Sequence, residues 1–183
     1  VNTLNKLLQA ARFAAERHAG QLRKGAHAEP YINHPLEVAN LIANVGKIDE
    51  IDILMAGLLH DTIEDTDTTP SEIIECFGET ACAYVLEVTD DKDLPKARRK
   101  ELQIEHAPHM SRGAKIVKLA DKISNCRDVL DNPAVDWDIT RRREYIDWGV
   151  KVVSGLRGAN ECLEDQFDII VERSKLEFGL SNK

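Results

Sequence analysis

Leu58-Leu59-His60-Asp61-Thr62-Ile63-Glu64-Asp65-Thr66 is the stretch on which the reading of this chain turns. Just upstream, Ile53, Leu54, Leu58 and Leu59 recur at helical spacing, so the stretch reads as the end of an apolar helix. That end carries Asp61, Glu64, Asp65 and Asp67 with no basic residue among them. Helix carbonyl ends bear partial negative charge, and an acid there costs from a few tenths to about 1 kcal/mol. A cation from elsewhere would offset that cost, and an adjacent His and Asp suit a divalent metal. His60 and Glu64 are four apart and share a face, with Asp61 about 100° round from His60. In a continued helix Asp65 points away. The β-branched and polar run over 62–69 predicts that the helix stops, which turns Asp65 back toward the ion. A metal flanked by free carboxylates is equipment for hydrolysing a phosphate ester. The same residues also suit a solvated acidic helix end, and the stretch alone leaves both readings open.

Outward from this stretch, a period of 3.6 dominates. Leu4, Leu7, Leu8, Ala11, Ala14 and Ala15 line one face of a first helix, with Gly20 beyond its end. His34-Pro35 opens a second, with Leu36, Ala39 and Ile42 inward and Gly46 at its close. Asp49 is placed to cap the third, which runs into the acidic stretch. Thr69-Pro70-Ser71-Glu72 spells a capping box for a short helix to Phe77, stopped by Gly78. Further helices are expected over about 80–88, 95–106, 114–130, 139–156 and 160–178. Asn132-Pro133 breaks the chain. No alternation of apolar and polar residues is long enough to predict a strand. The expectation is an all-α fold in a single domain over 1–183, with helices too unequal for a simple four-helix bundle.

Composition narrows the function. The 183 residues carry a formal net charge of −8, which argues against a nucleic acid polymer as partner but not against a small phosphorylated ligand met by local positive charge. No apolar run approaches the roughly 20 residues of a membrane span, and Val1-Asn2-Thr3-Leu4 does not open a signal peptide, so no membrane partner and a cytoplasmic location are expected. Cys76, Cys82, Cys126 and Cys162 are scattered without a CxxC pair, which argues against a zinc–thiolate site. Oligomeric state is not readable.

Other residues carry chemistry in waiting. His34 precedes proline, so its backbone is expected to be extended, and a helix start favours the neutral imidazole that binds metals. Asp121 lies off the apolar stripe of Ile116, Leu119, Ala120, Ile123 and Leu130, with Asn125 a turn on and Asp128 beyond. By patterning this is a solvated flank; lining a cavity, it would supply a further ligand. Lys118 and Lys122 are expected to face further round. Basic residues cluster at Arg23-Lys24, at Lys92, Lys96, Arg98, Arg99 and Lys100, and at Arg141-Arg142-Arg143, as phosphate holders or as ordinary surface. His18, His27, His106 and His109 lack a supporting pattern.

Arg23-Lys24, then Pro30-Tyr31-Ile32-Asn33-His34-Pro35-Leu36-Glu37-Val38-Ala39, then His60 to Thr66, then Lys118-Leu119-Ala120-Asp121-Lys122-Ile123-Ser124-Asn125 follow in order. This succession resembles the hydrolase-domain signature of the RelA/SpoT alarmone enzymes, within the HD phosphohydrolase superfamily. Thr89-Asp90-Asp91-Lys92, Ala107-Pro108-His109, and Tyr145 to Trp148 with Val152-Val153-Ser154-Gly155-Leu156 resemble the stand-alone members, the small alarmone hydrolases of the metazoan SpoT-homologue type. The resemblance spans nearly the whole chain and implies a hydrolase without synthetase or regulatory domains. It implies an all-α fold around one Mn²⁺ held by His34, His60, Asp61 and Asp121, with Glu64 and Asp65 handling water. It also implies that Arg23, Lys24 and Asn125 lie at the nucleotide and that Arg141 and Tyr145 line its pocket. Asp128 departs from the threonine that long members often carry there.

The implied reaction is hydrolysis of the 3′-diphosphate of ppGpp or pppGpp to GDP or GTP and pyrophosphate. A mixed set of imidazoles and carboxylates suits Mn²⁺, Fe²⁺ or Zn²⁺. Two other readings compete: a phosphatase acting on another phosphorylated nucleotide such as NADPH, and a catalytically dead alarmone-binding sensor. A dead sensor should have lost a ligand or an acid, and all of them are present.

Overall fold

The computed structural model describes residues 2–179; Val1 and residues 180–183 of the expected 1–183 domain lie outside the described residues. The described chain is helical, with no strand among its described residues. Its helices are α1 (Thr3–Arg17), α2 (Asn33–Asn40), α3 (Ile51–Leu59), α4 (Thr62–Asp65), α5 (Pro70–Phe77), α6 (Glu79–Val88), α7 (Lys96–His106), α8 (Arg112–Asp131), α9 (Ile139–Ser154) and α10 (Glu161–Glu177). A π turn (Leu41–Val45) extends α2, and a 3-10 turn (Ala107–His109) follows α7. None of the described helices is long and apolar enough to cross a membrane.

The helix starts follow from local chemistry. Asn2, Ser111, Asp138 and Asn160 each accept a backbone N–H with the side chain, satisfying a donor that a first turn leaves free. Thr69 and Glu72 close the capping box of α5 with Pro70 behind it. Gly78, at φ +98, then turns the chain into α6 in a conformation that L side chains rarely adopt.

Two expectations about helix starts need correction. Asp49 is not the cap of α3: that helix starts at Ile51, and Glu50 stands at the cap with no side-chain bond. The Glu50 carbonyl accepts from both Ile53 and Leu54, so the first turn closes without a carboxylate. His34 is not extended but lies in the first turn of α2, its N–H donating to the Tyr31 carbonyl. Burial of His34 and Pro35 offsets the cost of a helical backbone before proline.

α3 and α8 form the centre. α3 packs on α1, α2, α6 and α8, and α8 packs on α2, α3, α6, α9 and α10. Their buried Met55, Leu58, Leu59, Ile116, Leu119 and Ile123 belong to one continuous apolar cluster. Each such side chain stabilises the fold by about 1.5–3 kcal/mol on burial. Gly57 permits the close approach of α2, since a Cβ there would sit 2.8 Å from Ile42 Cδ1. Isolated β-bridges, Leu22 to Pro30 and Gly25 to Ala134, pin the loop carrying Arg23 and Lys24 to its own return and to the segment after α8.

Candidate active site

His60 ends α3 as its cap residue. Its Nδ1 donates to the Gly57 carbonyl at 2.9 Å, which turns Nε2 inward. His34, from the first turn of α2, has Nδ1 3.0 Å from Ser124 Oγ on α8. Its Nε2 lies 3.2 Å from that of His60. Asp121 Oδ1 stands 3.2 Å from His34 Nε2 and 3.8 Å from His60 Nε2. Asp61 Oδ2 stands 3.0 Å from His60 Nε2 and 3.7 Å from His34 Nε2. Side chains remote in sequence thus bring two imidazole nitrogens and two carboxylate oxygens to one point.

The charges at this point are mutually dependent. Burial would lower His60, but Asp61 and Asp121 outweigh it and raise its pKa to about 9. Burial dominates at His34, whose pKa is lowered despite Asp121. Burial would raise Asp61 and Asp121; the imidazoles hold Asp61 well below the carboxylate range, and Lys122 with the imidazoles does the same for Asp121. Without a cation the carboxylates favour the charged form of His60, and burial favours the neutral form of His34. His34, His60 and Asp121 each offer a ligand atom, all within 4.8 Å of one another, a group that could hold a metal ion. The facing nitrogens and the mixed N/O donor set fit a divalent first-row ion.

Patterning alone suits Asp121 to a solvated flank, with Lys118 and Lys122 further round; all three are buried, as a cavity-lining Asp121 requires. Every residue of α8 from Ile116 to Ser124 is buried beneath the helices packed on it, so the off-stripe positions in that stretch have no solvent to face. Lys122 Nζ donates to Asp121 Oδ2 at 2.9 Å and lies 4.6 Å from the centre of the Trp148 ring. Burial would lower its pKa, and Asp121 more than restores it, so the ammonium stays charged. Lys118 donates to the Val88 carbonyl at 3.0 Å, its pKa lowered by burial.

The acids beside the cluster do not sit at the end of a continued helix. The chain breaks at Asp61 (φ −99°, ψ −2°), and α4 is a separate turn, fixed where Thr62 Oγ1 donates to the Leu59 carbonyl at 2.7 Å. Glu64 Oε2 accepts the Asp90 N–H at 3.0 Å, and Arg99 Nη1 lies 3.8 Å from its other oxygen. Burial raises the Glu64 pKa above its ordinary value. Asp65 is contacted by the Lys92 ammonium and lies 3.3 Å from the Tyr31 hydroxyl. The Tyr31 hydroxyl also donates to Asp61 Oδ2 at 2.6 Å and so touches both aspartates. Asp67 is exposed.

A cavity of about 400 Å³ opens beside Asp65, lined also by Arg23, Lys24, Tyr31, Lys96, Asn125, Asp128, Trp137 and Tyr145 among others. Arg23 donates to Asp128 Oδ2 at 2.5 and 3.2 Å and to Asn125 Oδ1 at 3.1 Å. Asn125 in turn donates to Asp121 Oδ1 at 2.5 Å, linking the cavity wall to the histidine–aspartate cluster. Tyr145 packs between Trp137 and Trp148, with ring centres 5.4 and 5.2 Å away. Arg141, read as lining the pocket, is absent from the lining; its guanidinium lies over Trp137 at 4.7 Å, on the rim. Arg98 is taken up by Glu101 and Glu105, and Arg142 by Glu177. His18 is buried against Gln21, a structural role.

Sequence reasoning passed over Tyr31, Ser124 and Lys122 as site residues. Tyr31 lay within the Pro30–Ala39 block, and Ser124 and Lys122 within the Lys118–Asn125 block, so position in a motif was the available signal.

A family profile described as an HD domain matches residues 10–146. The chain is 47% identical over 168 residues to a Danio rerio protein named guanosine-3′,5′-bis(diphosphate) 3′-pyrophosphohydrolase MESH1, covering 91% of this chain and 93% of that one. The Homo sapiens protein of the same name is 51% identical over 160 residues, covering 87% of this chain and 89% of that one. A solved structure, described as a metazoan ortholog of SpoT that hydrolyzes ppGpp and plays a role in starvation responses, matches with a TM-score of 0.90 at 42% identity. That match covers 93% of this chain and 96% of the other.

Proposed function

The chain belongs to the HD-domain family, within the stand-alone MESH1 group, and from that premise we infer that it hydrolyses guanosine 3′,5′-bis(diphosphate) to GDP and pyrophosphate. The corresponding pentaphosphate would yield GTP. The observation that carries this reading is the convergence of His34, His60, Asp61 and Asp121, with separations of 3.0–3.8 Å between imidazole and carboxylate atoms, joined through Asn125 to the cavity that Asp65 lines. The unit concerned is the single domain expected over 1–183, a reading supported by one continuous core.

In this reading those four residues hold a divalent cation, Mn²⁺ by family resemblance. When bound, the cation supplies positive charge to phosphate oxygens and makes water more acidic. The chain's own residues do the rest. Glu64, raised by burial, takes the proton of the attacking water, and Asp65 orients that water. Tyr31 keeps Asp61 and Asp65 at fixed separation. Arg23 and Lys24 meet the nucleotide from one wall and Lys96 from another, offsetting phosphate charge. Trp137 and Tyr145 give the base a flat apolar face. Asn125, bonded to both Arg23 and Asp121, couples nucleotide seating to the ligand cluster.

The test is incubation of purified, Mn²⁺-loaded protein with ppGpp and with NADPH in parallel, identifying each phosphate product. Pyrophosphate and GDP from ppGpp are expected. Orthophosphate from NADPH with no pyrophosphate from ppGpp would overturn the reading in favour of a nucleotide phosphatase.

A further inference from the structure

The segment Thr89-Asp90-Asp91-Lys92 leaves α6 and reaches the side chains of both acids. The Asp90 N–H donates to Glu64 Oε2 at 3.0 Å, and the Lys92 ammonium contacts Asp65. A short loop has little means of holding itself in place, and this one is anchored by side chains from two other helices. Gln103, on α7, donates Nε2 to Asp90 Oδ2 at 2.6 Å, a charge-assisted bond. Lys118, on α8, donates to the carbonyl of Val88, the last residue of α6, at 3.0 Å. One anchor therefore fixes the start of the segment and the other fixes the residue whose amide grips Glu64.

Both anchors are poor choices for stability alone. Lys118 is 5% exposed, and an ammonium in such a position is costly to desolvate. Gln103 uses its amide nitrogen, while its Oε1 is buried without a partner in the protein. A half-satisfied amide is worse for folding than an apolar side chain of the same shape. What Gln103 offers is a donor to the Asp90 carboxylate. A second cavity, of about 140 Å³, lies behind the loop between Asp90, Gln103 and Lys118. It leaves the segment room to shift if the anchor is cut.

Resting on the reading of Glu64 and Asp65 as the water-handling pair, we propose that segment 89–92 is a bracket that orients both acids, with Gln103 as the positioning residue that holds it through Asp90. The Asp90 amide occupies one Glu64 oxygen and so fixes which oxygen is left to meet water. A reacting group displaced by as little as an ångström loses rate steeply.

The experiment is steady-state hydrolysis of ppGpp by the Mn²⁺-loaded full chain carrying Gln103→Met, Asp90→Ala, both together, or Asp90→Asn, with metal content measured on each. Gln103→Met and Asp90→Ala are each expected to lower kcat about tenfold, with KM and the metal-to-protein ratio unchanged. The double variant should fall no lower than the worse single one, because both cut the same bond. Asp90→Asn, whose amide oxygen still accepts from Gln103, should recover most of the kcat lost in Asp90→Ala. Wild-type kcat in Gln103→Met, additive losses in the double variant, or loss of metal along with rate would overturn the bracket. Absence of pyrophosphate from the wild type would instead overturn the underlying reading, and the bracket with it.

Discussion

α3 and α8 are both central, yet they are built from different materials. Ile53 to Leu59 in α3 are buried and all apolar or glycine. α8 buries Lys118, Asp121, Lys122 and Ser124 alongside its apolar residues. Apolar burial needs no partner, whereas each buried polar group needs a specific one. α8 supplies them: Lys122 meets Asp121, Ser124 meets His34, and Lys118 meets Val88. α3 thus contributes stability and delivers His60 at its end, while α8 accepts the cost of buried charge to hold the site. The polar side chains inside a core mark where a protein gives up stability for chemistry.

That division can be broken from the acid turn that follows α3. Glu64→Gln should cut turnover by about two to four orders of magnitude, the scale of a lost general base, while folding and bound metal are unchanged. Steady-state kinetics with metal analysis checks it; near-wild-type turnover would remove Glu64 from the mechanism. Met55→Ala, at a fully buried α3 position, should destabilise the protein by about 2–5 kcal/mol and leave metal affinity alone. Urea denaturation and metal titration read the two quantities separately. Ser124→Ala on α8 should do the reverse. It removes the oxygen beside His34 Nδ1, so metal affinity should fall about 10- to 100-fold with little change in the urea midpoint. If Met55→Ala weakened metal binding as much as Ser124→Ala, the two helices would not be separable.

Much of the fold was legible and part of the site was not, for a physical reason. The capping box at Thr69, the stop at Gly78 and the break at Asn132-Pro133 are local devices that act through their own backbone, and the structure has each where the chain spells it. His34, His60, Asp61 and Asp121 could be named as a set only through resemblance, because convergence of remote residues is a tertiary property. Lys118 and Lys122 misled because a stripe of apolar residues implies a solvent face opposite, and α8 has none from Ile116 to Ser124. The break at His60-Asp61 was foreseen only as a stop: four residues that resume a helical turn carry no periodicity to read.

A smaller effect sharpens the comparison through pH. In the metal-free protein, burial disfavours charged His60, but Asp61 and Asp121 raise its pKa to about 9, above the 6.5 of an ordinary histidine. The stability from that proton is complete below about pH 6.5 and is lost as pH rises through about 9. With a cation held by these four residues His60 would be neutral, so the metal-loaded protein should lack this decline. Urea midpoints at pH 6 and pH 9, with and without chelator, measure the difference; equal slopes would mean that His60 does not face the ion.

The central claim is that His34, His60, Asp61 and Asp121 share one cation. Metal content of the purified wild type and of Asp121→Asn, each reconstituted with Mn²⁺ and desalted, tests it most directly. About one ion per chain in the wild type, and a ratio lowered in step with activity in the variant, are the results expected from a four-donor site that has lost a carboxylate. An undiminished metal-to-protein ratio in Asp121→Asn would contradict it.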